Sequence, residues 1–210
     1  MDEETAVDAK VKEEKPASSP GDALAKLKAR WQDCRDCPLA AGRTHMVFGE
    51  GNPEAGVMLV GEGPGKEEDR QGRPFVGAAG RLLDKILLSV GFSRQEVYIA
   101  NVVKCRPPGN RIPVDEEREA CFLKLKEQLE AVKPQILILL GATALKAFAG
   151  PHARITRDRG TWQSHMGIKV MPTFHPAALL RDPGKKRAVW EDMKAVRAYY
   201  DSLGEKEGQS

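Results

Sequence analysis

After Pro134-Gln135 the chain runs Ile136-Leu137-Ile138-Leu139-Leu140 and then reaches Gly141, with no polar side chain on either parity of the run. A strand with one solvated face alternates apolar and polar residues, so five aliphatic residues in succession require cover on both faces of a sheet. The rest of the chain supplies that cover. Val57-Met58-Leu59-Val60 is a second short buried strand ending at Gly61, Val97 to Val103 is strand-like, and Ile168 to Met171 is a fourth. Between them lie helical patterns. Gly80 to Val90 carries Leu82, Leu83, Ile86, Leu87 and Val90 at helical spacing, and Asp115 to Val132 opens on Asp115 and Glu116, which suit a helix N-terminus. Gly141 to Ala149 and Lys185 to Tyr200 read as two more. Alternating strands and helices predict a three-layer α/β/α domain around a central, mostly parallel, four-stranded sheet.

With 210 residues and 41% hydrophobic content, this is one domain of ordinary size. We place the domain at 22–203, between a tail over 1–21, rich in Glu, Lys, Ala, Ser and Pro and expected to be disordered, and a flexible tail over 204–210. A helix is expected from Asp22, whose carboxylate would cap the amides of Leu24 and Ala25, to Trp31. Net charge is +3, with −3 on residues 1–15 and −1 on 204–210, which leaves +7 on 16–203. A modestly basic domain with acidic tails permits nucleic-acid binding without demanding it. No apolar run approaches the ~20 residues that span a bilayer, so no membrane partner is expected. Met1–Pro16 is acidic rather than apolar and does not resemble a signal peptide, which predicts a reducing, intracellular setting, cytoplasmic and prokaryote-like.

The four cysteines suit such a setting. Cys34 and Cys37 form a C-x2-C clip, Cys105 and Cys121 follow far downstream, and none is left over. Four thiolates suit a tetrahedral zinc or a [4Fe–4S] cluster. Buried free thiols are the plain alternative, and disulfides a weaker one. A metal shared by Cys37 and Cys105 would staple the N-terminal segment to the core.

In sheets of this kind ligands sit at the carboxyl ends of the strands, which singles out the loops after Val60, Val103 and Met171. The first, Gly61-Glu62-Gly63-Pro64-Gly65, is not a phosphate loop: no glycine stands five residues before Gly65, and Glu67 occupies the place of the magnesium-holding Ser/Thr. Nor do its glycines have dinucleotide spacing. Glu67, Glu68 and Asp69 would repel a triphosphate, so the loop suits a flat, weakly charged ligand approached by backbone. Phe75 beyond it is either core or a stacking platform.

The second loop holds Asn101 and Asn110, two of only three asparagines in the chain. An Asn amide can accept from a pyrimidine N3–H and donate to O4, the pattern of uracil or thymine and the reverse of cytosine. A strand-end Asn capping backbone groups is the alternative. In the third loop, His175-Pro176 places a histidine at the N-cap of a short helix, where the positive end disfavours imidazolium; a neutral imidazole can donate to a developing oxyanion. Leu179-Leu180 beside Arg181, Lys185, Lys186 and Arg187 has the composition of a DNA-penetrating wedge, and equally of an amphipathic helix start.

Together these segments resemble family 4 uracil-DNA glycosylases, the iron–sulfur branch of that superfamily. The resemblance rests on Gly61-Glu62-Gly63-Pro64-Gly65 with Glu68-Asp69, Pro74-Phe75-Val76-Gly77, Asn101-Val102-Val103-Lys104-Cys105-Arg106-Pro107-Pro108 with Asn110-Arg111, His175-Pro176 and the four cysteines, over about residues 22 to 200. It implies hydrolysis of the N-glycosidic bond of uracil in DNA, starting repair of deaminated cytosine, by a monomer. It implies a [4Fe–4S] cluster on Cys34, Cys37, Cys105 and Cys121. Phe75 would stack on the flipped base, Asn101 would read its edge, His175 would face O2, and backbone around Gly61, Glu62 and Gly63 would meet the ring. Glu68 and Asn110 would complete the site, with Glu62 or Glu68 positioning water, and Leu179, Arg181 and Arg111 would contact DNA. Another branch places an aspartate where this chain has Gly63. A third carries a sugar-trapping histidine in an inserted loop. Arg106 to Val114 has no histidine, which predicts turnover.

Overall fold

The computed structural model describes residues 19–207. Of the tails expected at 1–21 and 204–210, residues 1–18 and 208–210 lie outside the described residues. What is described at the two edges differs from expectation. Helix α1 (Pro20–Trp31) starts before Asp22: Ser19 is its N-cap, accepting from the Asp22 amide at 3.1 Å, and Pro20 follows at the first position. Ser-Pro is the stronger start signal, because proline lacks the N–H that a first turn leaves unused. Asp22 sits in the first turn instead, where its charge suits the helix's positive end. At the other edge α9 (Lys186–Glu207) continues through Gly204.

Among the described residues the sheet has six strands, not four. They are β1 (Glu50–Gly51), β2 (Val57–Gly61), β3 (Tyr98–Asn101), β4 (Ile136–Leu140), β5 (Gln163–His165) and β6 (Ile168–Thr173), in the order β1-β3-β2-β4-β6-β5. The four expected strands form its parallel centre, with Gly61 level with Asn101 and Val60 level with Leu139. The two additional strands are short antiparallel edges, β1 on β3 and β5 on β6. Segments of two and three residues carry no readable hydrophobic period.

The connecting helices are α2 (Leu39–Gly42), α3 (Lys66–Gln71), α4 (Ala78–Ser89), α5 (Asp115–Val132), α6 (Ala142–Ala149), α7 (Ile155–Asp158) and α8 (Pro176–Arg181). One core packs Met58, Val60, Leu137 and Leu139 against α1, α5 and α6 through Leu24, Leu125, Leu129 and Leu145. The other packs Val57, Leu59, Ile138 and Leu140 against α4, α8 and α9 through Leu83, Leu87, Leu179, Val189 and Met193. Alternate residues of the same strands serve opposite faces, which is why the β4 sequence is apolar throughout. Chain leaving β2 goes to the α4 face and chain leaving β4 goes to the α6 face. The crevice between these neighbouring strands is the topological switch point. Among the described residues no helix is long and apolar enough to cross a membrane.

Candidate active site

A cavity of about 630 Å³ opens at that crevice. Its walls include Glu62, Gly63 and Glu68 from the segment after β2, Phe75, Asn101 at the end of β3, Thr143 after β4, and His175 after β6. Asn110, Arg111 and Arg181 also line it. The loop after β4 was not among the three singled out from the sequence, although the same strand-end rule applies to it. That loop brings Thr143, at the start of α6, into the cavity wall.

Asn101 is the last residue of β3 and is 2% exposed. Among the described residues its Oδ1 is the one buried side-chain polar atom without a hydrogen-bond partner. A buried acceptor left unsatisfied costs about 1–3 kcal/mol, so its persistence marks a place where a ligand donor belongs. Gly61, at the same level on β2, does not line the cavity. A Cβ there would come within 2.5 Å of both Asn101 Oδ1 and the Phe75 ring, so its contribution is the close approach of those two residues. Gly63 does line the cavity, and a Cβ there would lie 2.6 Å from Val103 Cγ2. The packing that fixes the β3 exit thus disfavours an aspartate at that position.

Phe75 is buried, with its ring stacked on the His175 imidazole at 5.4 Å and 28°. Its φ is 51°, a left-handed conformation that a bulky residue keeps only when its surroundings hold it there. Glu68 does part of that holding. Its Oε1 accepts from the amides of Val76 (2.9 Å) and Gly77 (2.8 Å). Glu62 is held differently: its Oε2 accepts from the Thr143 hydroxyl. One carboxylate therefore fixes backbone, while the other keeps an oxygen free beside the cavity.

His175 is the N-cap of α8. Its Nδ1 accepts from the Ala177 amide at 3.1 Å, which leaves the proton of a neutral imidazole on Nε2. Burial pushes the imidazole pKa down to about 4, with Arg181's charge adding to the effect and Glu68 opposing it. The ring is thus a neutral hydrogen-bond donor across the working pH range, suited to an oxyanion.

The rim residues differ from expectation in informative ways. Leu179 is 1% exposed within the α4–α8–α9 core, so the leucine available at the surface is Leu180, at 50%. A six-residue helix lying on the core must turn its ridge inward, and neighbouring leucines cannot both face out. Arg111 forks onto Glu117 at 2.8 and 2.7 Å, which ties down and neutralises its charge. Asn110 is exposed, and its Oδ1 accepts from Arg106 Nε at 2.7 Å, so it belongs to the rim. Arg181 has no ion pair among the described residues and stays available to a phosphate.

The four cysteines line a second, much smaller cavity together with Arg43, Lys104 and Lys124. All four are free thiols. Arg43 Nη1 donates to Cys105 Sγ at 3.2 Å, and the Lys104 amide to Cys121 Sγ at 3.3 Å. Free thiols met by N–H donors and cationic side chains form a donor set that fits a thiolate-bound, negatively charged centre. Lys104, 1% exposed, links the two sites: its Nζ donates to the backbone oxygen of Asn101 at 2.9 Å and to Gln128 Oε1.

Comparison with known proteins agrees with this geometry. Residues 48–194 match the Uracil DNA glycosylase superfamily. A type-4 uracil-DNA glycosylase of Thermotoga maritima is 47% identical over 184 residues, covering 85% of this chain and 95% of that protein. Its counterpart from Sulfurisphaera tokodaii is 42% identical, covering 84% of each. A type-5 uracil-DNA glycosylase of Pyrobaculum aerophilum is more distant, at 34% over 64% of this chain and 67% of its own length. With its strand-end cavity, its four thiols and a near full-length match at this identity, the chain belongs to the type-4 uracil-DNA glycosylases.

Proposed function

We propose that this protein flips uracil out of DNA and hydrolyses its N-glycosidic bond, without a lyase step, opening the repair of deaminated cytosine. The observation that carries this reading is the orphaned Asn101 Oδ1, a lone buried acceptor in a cavity walled by an aromatic ring and a neutral imidazole. Uracil presents an N3–H to such an acceptor, whereas cytosine N3 presents a lone pair.

Extruding a base costs a few kcal/mol, least at a mispaired uracil, and stacking on an aromatic ring returns ~1–3 kcal/mol. Phe75 is the stacking surface. As the bond to the sugar breaks, negative charge collects on the departing uracil, and His175 Nε2–H stabilises it at O2 without giving up its proton. Glu62, oriented by Thr143, holds the attacking water; Glu68 keeps Phe75 and its loop in place. Arg181 meets the phosphate backbone, and exposed Leu180 is the apolar residue beside it. We propose that the protein acts as a monomer.

We assign Cys34, Cys37, Cys105 and Cys121 to a [4Fe–4S] cluster. The assignment rests on the resemblance of the four-cysteine set to the iron–sulfur branch and on the lining that these thiols share with Arg43, Lys104 and Lys124, cations that suit a negatively charged, thiolate-bound centre. When bound, the cluster supplies a covalent staple between the Cys34–Cys37 clip and the chain leaving β3. Thiols kept for this purpose fit a reducing, cytoplasmic setting.

Single-turnover cleavage of a single-stranded uracil oligonucleotide and its thymine counterpart tests the reading. Abasic sites at uracil alone are expected. A folded, brown, iron-loaded preparation that releases nothing overturns it in favour of a nucleic-acid-binding module.

A further inference from the structure

Phe75 poses a question that the glycosylase reading leaves open: what keeps a bulky side chain at a φ of 51°? Glu68 secures only the amides that follow it. The carbonyls are secured by a residue outside the cavity wall. Arg94, between α4 and β3, donates from Nη1 to Phe75 O at 3.0 Å and from Nη2 to Pro74 O. Its side chain is only 17% exposed and is itself anchored, through Nε to Glu50 Oε1 at 2.8 Å and through Nη1 to Asp84 Oδ1 at 2.9 Å. Glu50 is braced in turn by Arg73 at 2.7 Å.

We propose that Arg94 is a positioning residue for the reaction, holding the strained backbone of Phe75 so that its ring meets the flipped base beside His175. The inference rests on the glycosylase reading and adds a residue to it. A guanidinium presents five donors in a rigid plane, and here they reach two adjacent carbonyls and two carboxylates at once. Two carboxylates on one cation also neutralise a charge held mostly out of water. The third side of the peptide is closed by Gly80 of α4, where an added Cβ would lie 1.9 Å from Phe75 O. Amides held by Glu68, carbonyls held by Arg94 and a helix backbone against the peptide leave it one conformation. Strain of this kind persists where surroundings over-determine it, and it clusters at functional sites.

A residue acting only through Phe75 makes a sharp prediction for a double-mutant cycle. In single-turnover cleavage of a uracil oligonucleotide by the cluster-loaded protein, Arg94→Met is expected to slow the rate about 10-fold. In a Phe75→Ala background the same change should cost less than about 2-fold. Equal losses in both backgrounds overturn the proposal. Arg94→Lys, which keeps the charge but not the planar fork, should fail to restore the rate; full restoration also overturns it. Should Arg94→Met not fold, Glu50→Gln with Asp84→Asn removes the anchors and leaves Arg94 in place. The cycle is then run with that pair, with the same expectation and the same overturning result.

A second readout does not use activity. Protein labelled with 4-fluorophenylalanine gives a fluorine resonance for Phe75, assigned by its loss in Phe75→Leu. Arg94→Met should shift or broaden that resonance and leave the other phenylalanines in place. An unmoved resonance overturns the proposal. If the wild-type protein releases no uracil, the glycosylase reading falls, and the fluorine spectrum still decides the role of Arg94.

Discussion

The stretch from Asn101 to Cys105 ends in two different kinds of site. At one end Asn101 keeps a buried acceptor without a partner among the described residues, in a cavity of about 630 Å³. At the other, Cys105 and Cys121 each meet an N–H donor, at 3.2 and 3.3 Å, in a cavity lined by three cations. An unsatisfied polar atom is tolerable where a ligand comes and goes, because the ligand completes it at each turnover. Thiols met by N–H donors and flanked by cations suit a centre that stays. On the proposed reading the same few residues join an exchanging site to a permanent one, with the buried Lys104 bonded to the backbone of Asn101 between them.

The contrast can be broken at either end. The largest effect is expected from Cys121→Ser, which removes a support from the permanent site. Iron content and brown absorbance should collapse, and thermal stability should fall by roughly 10 °C or more. Full stability without iron would show that the staple is dispensable. Next is His175→Ala, expected to lower the single-turnover rate by about 10²–10³ while leaving binding to uracil-containing DNA nearly unchanged. Equal losses in rate and binding would remove its anion-stabilising role.

His175 also makes a pH prediction. Its pKa is about 4 in the folded protein against 6.5 ordinarily. Between those values the unfolded chain takes up a proton that the folded chain refuses. Stability from this source is present above about pH 6.5 and is lost as the pH falls toward about 4, by at most about 3 kcal/mol. Denaturant titrations should show a slope in that window that flattens in His175→Gln; an equal slope in both would place the titrating group elsewhere. The cleavage rate should show no His175 inflection near pH 6.5.

Smaller effects sharpen the exchanging site. Asn101→Ala should weaken inhibition by free uracil by about 10–100-fold, the worth of about 1–3 kcal/mol, with little change in iron content. Iron loss alongside the weakened binding would show that the two ends are not separable. Thr143→Val should slow cleavage about 5-fold at unchanged substrate affinity, since the hydroxyl is committed to Glu62. A change in affinity alone would move Thr143 from positioning to binding.

Much of the fold was legible because the parallel centre is written in local pattern. Ile136 to Leu140 announces a strand covered on both faces, and Asp115 to Val132 coincides with α5. The edge strands β1 and β5 were not legible, since two or three residues pair only because a neighbouring strand is already there. The start of α1 was misread because Asp22 and Ser19 are both competent caps, and Pro20 settles the choice. Of the leucine pair, composition alone could not say that Leu179 faces the core and Leu180 the solvent.

The alternation of strands and helices, three of the four strand-end loops that line the cavity, the four-thiol set and the placement of His175 at a helix N-cap were legible in the residues themselves. These depend on neighbours a few residues apart, where backbone geometry and side-chain type suffice. The assembled fold was needed to show that Asn101 Oδ1 lacks a partner among the described residues, that Thr143 meets Glu62 across 81 positions of sequence, and that Arg94 grips the carbonyl of Phe75 from 19 positions away. Those facts arise when the sheet brings distant strand ends together, and satisfaction of a buried polar atom is a property of that assembled neighbourhood.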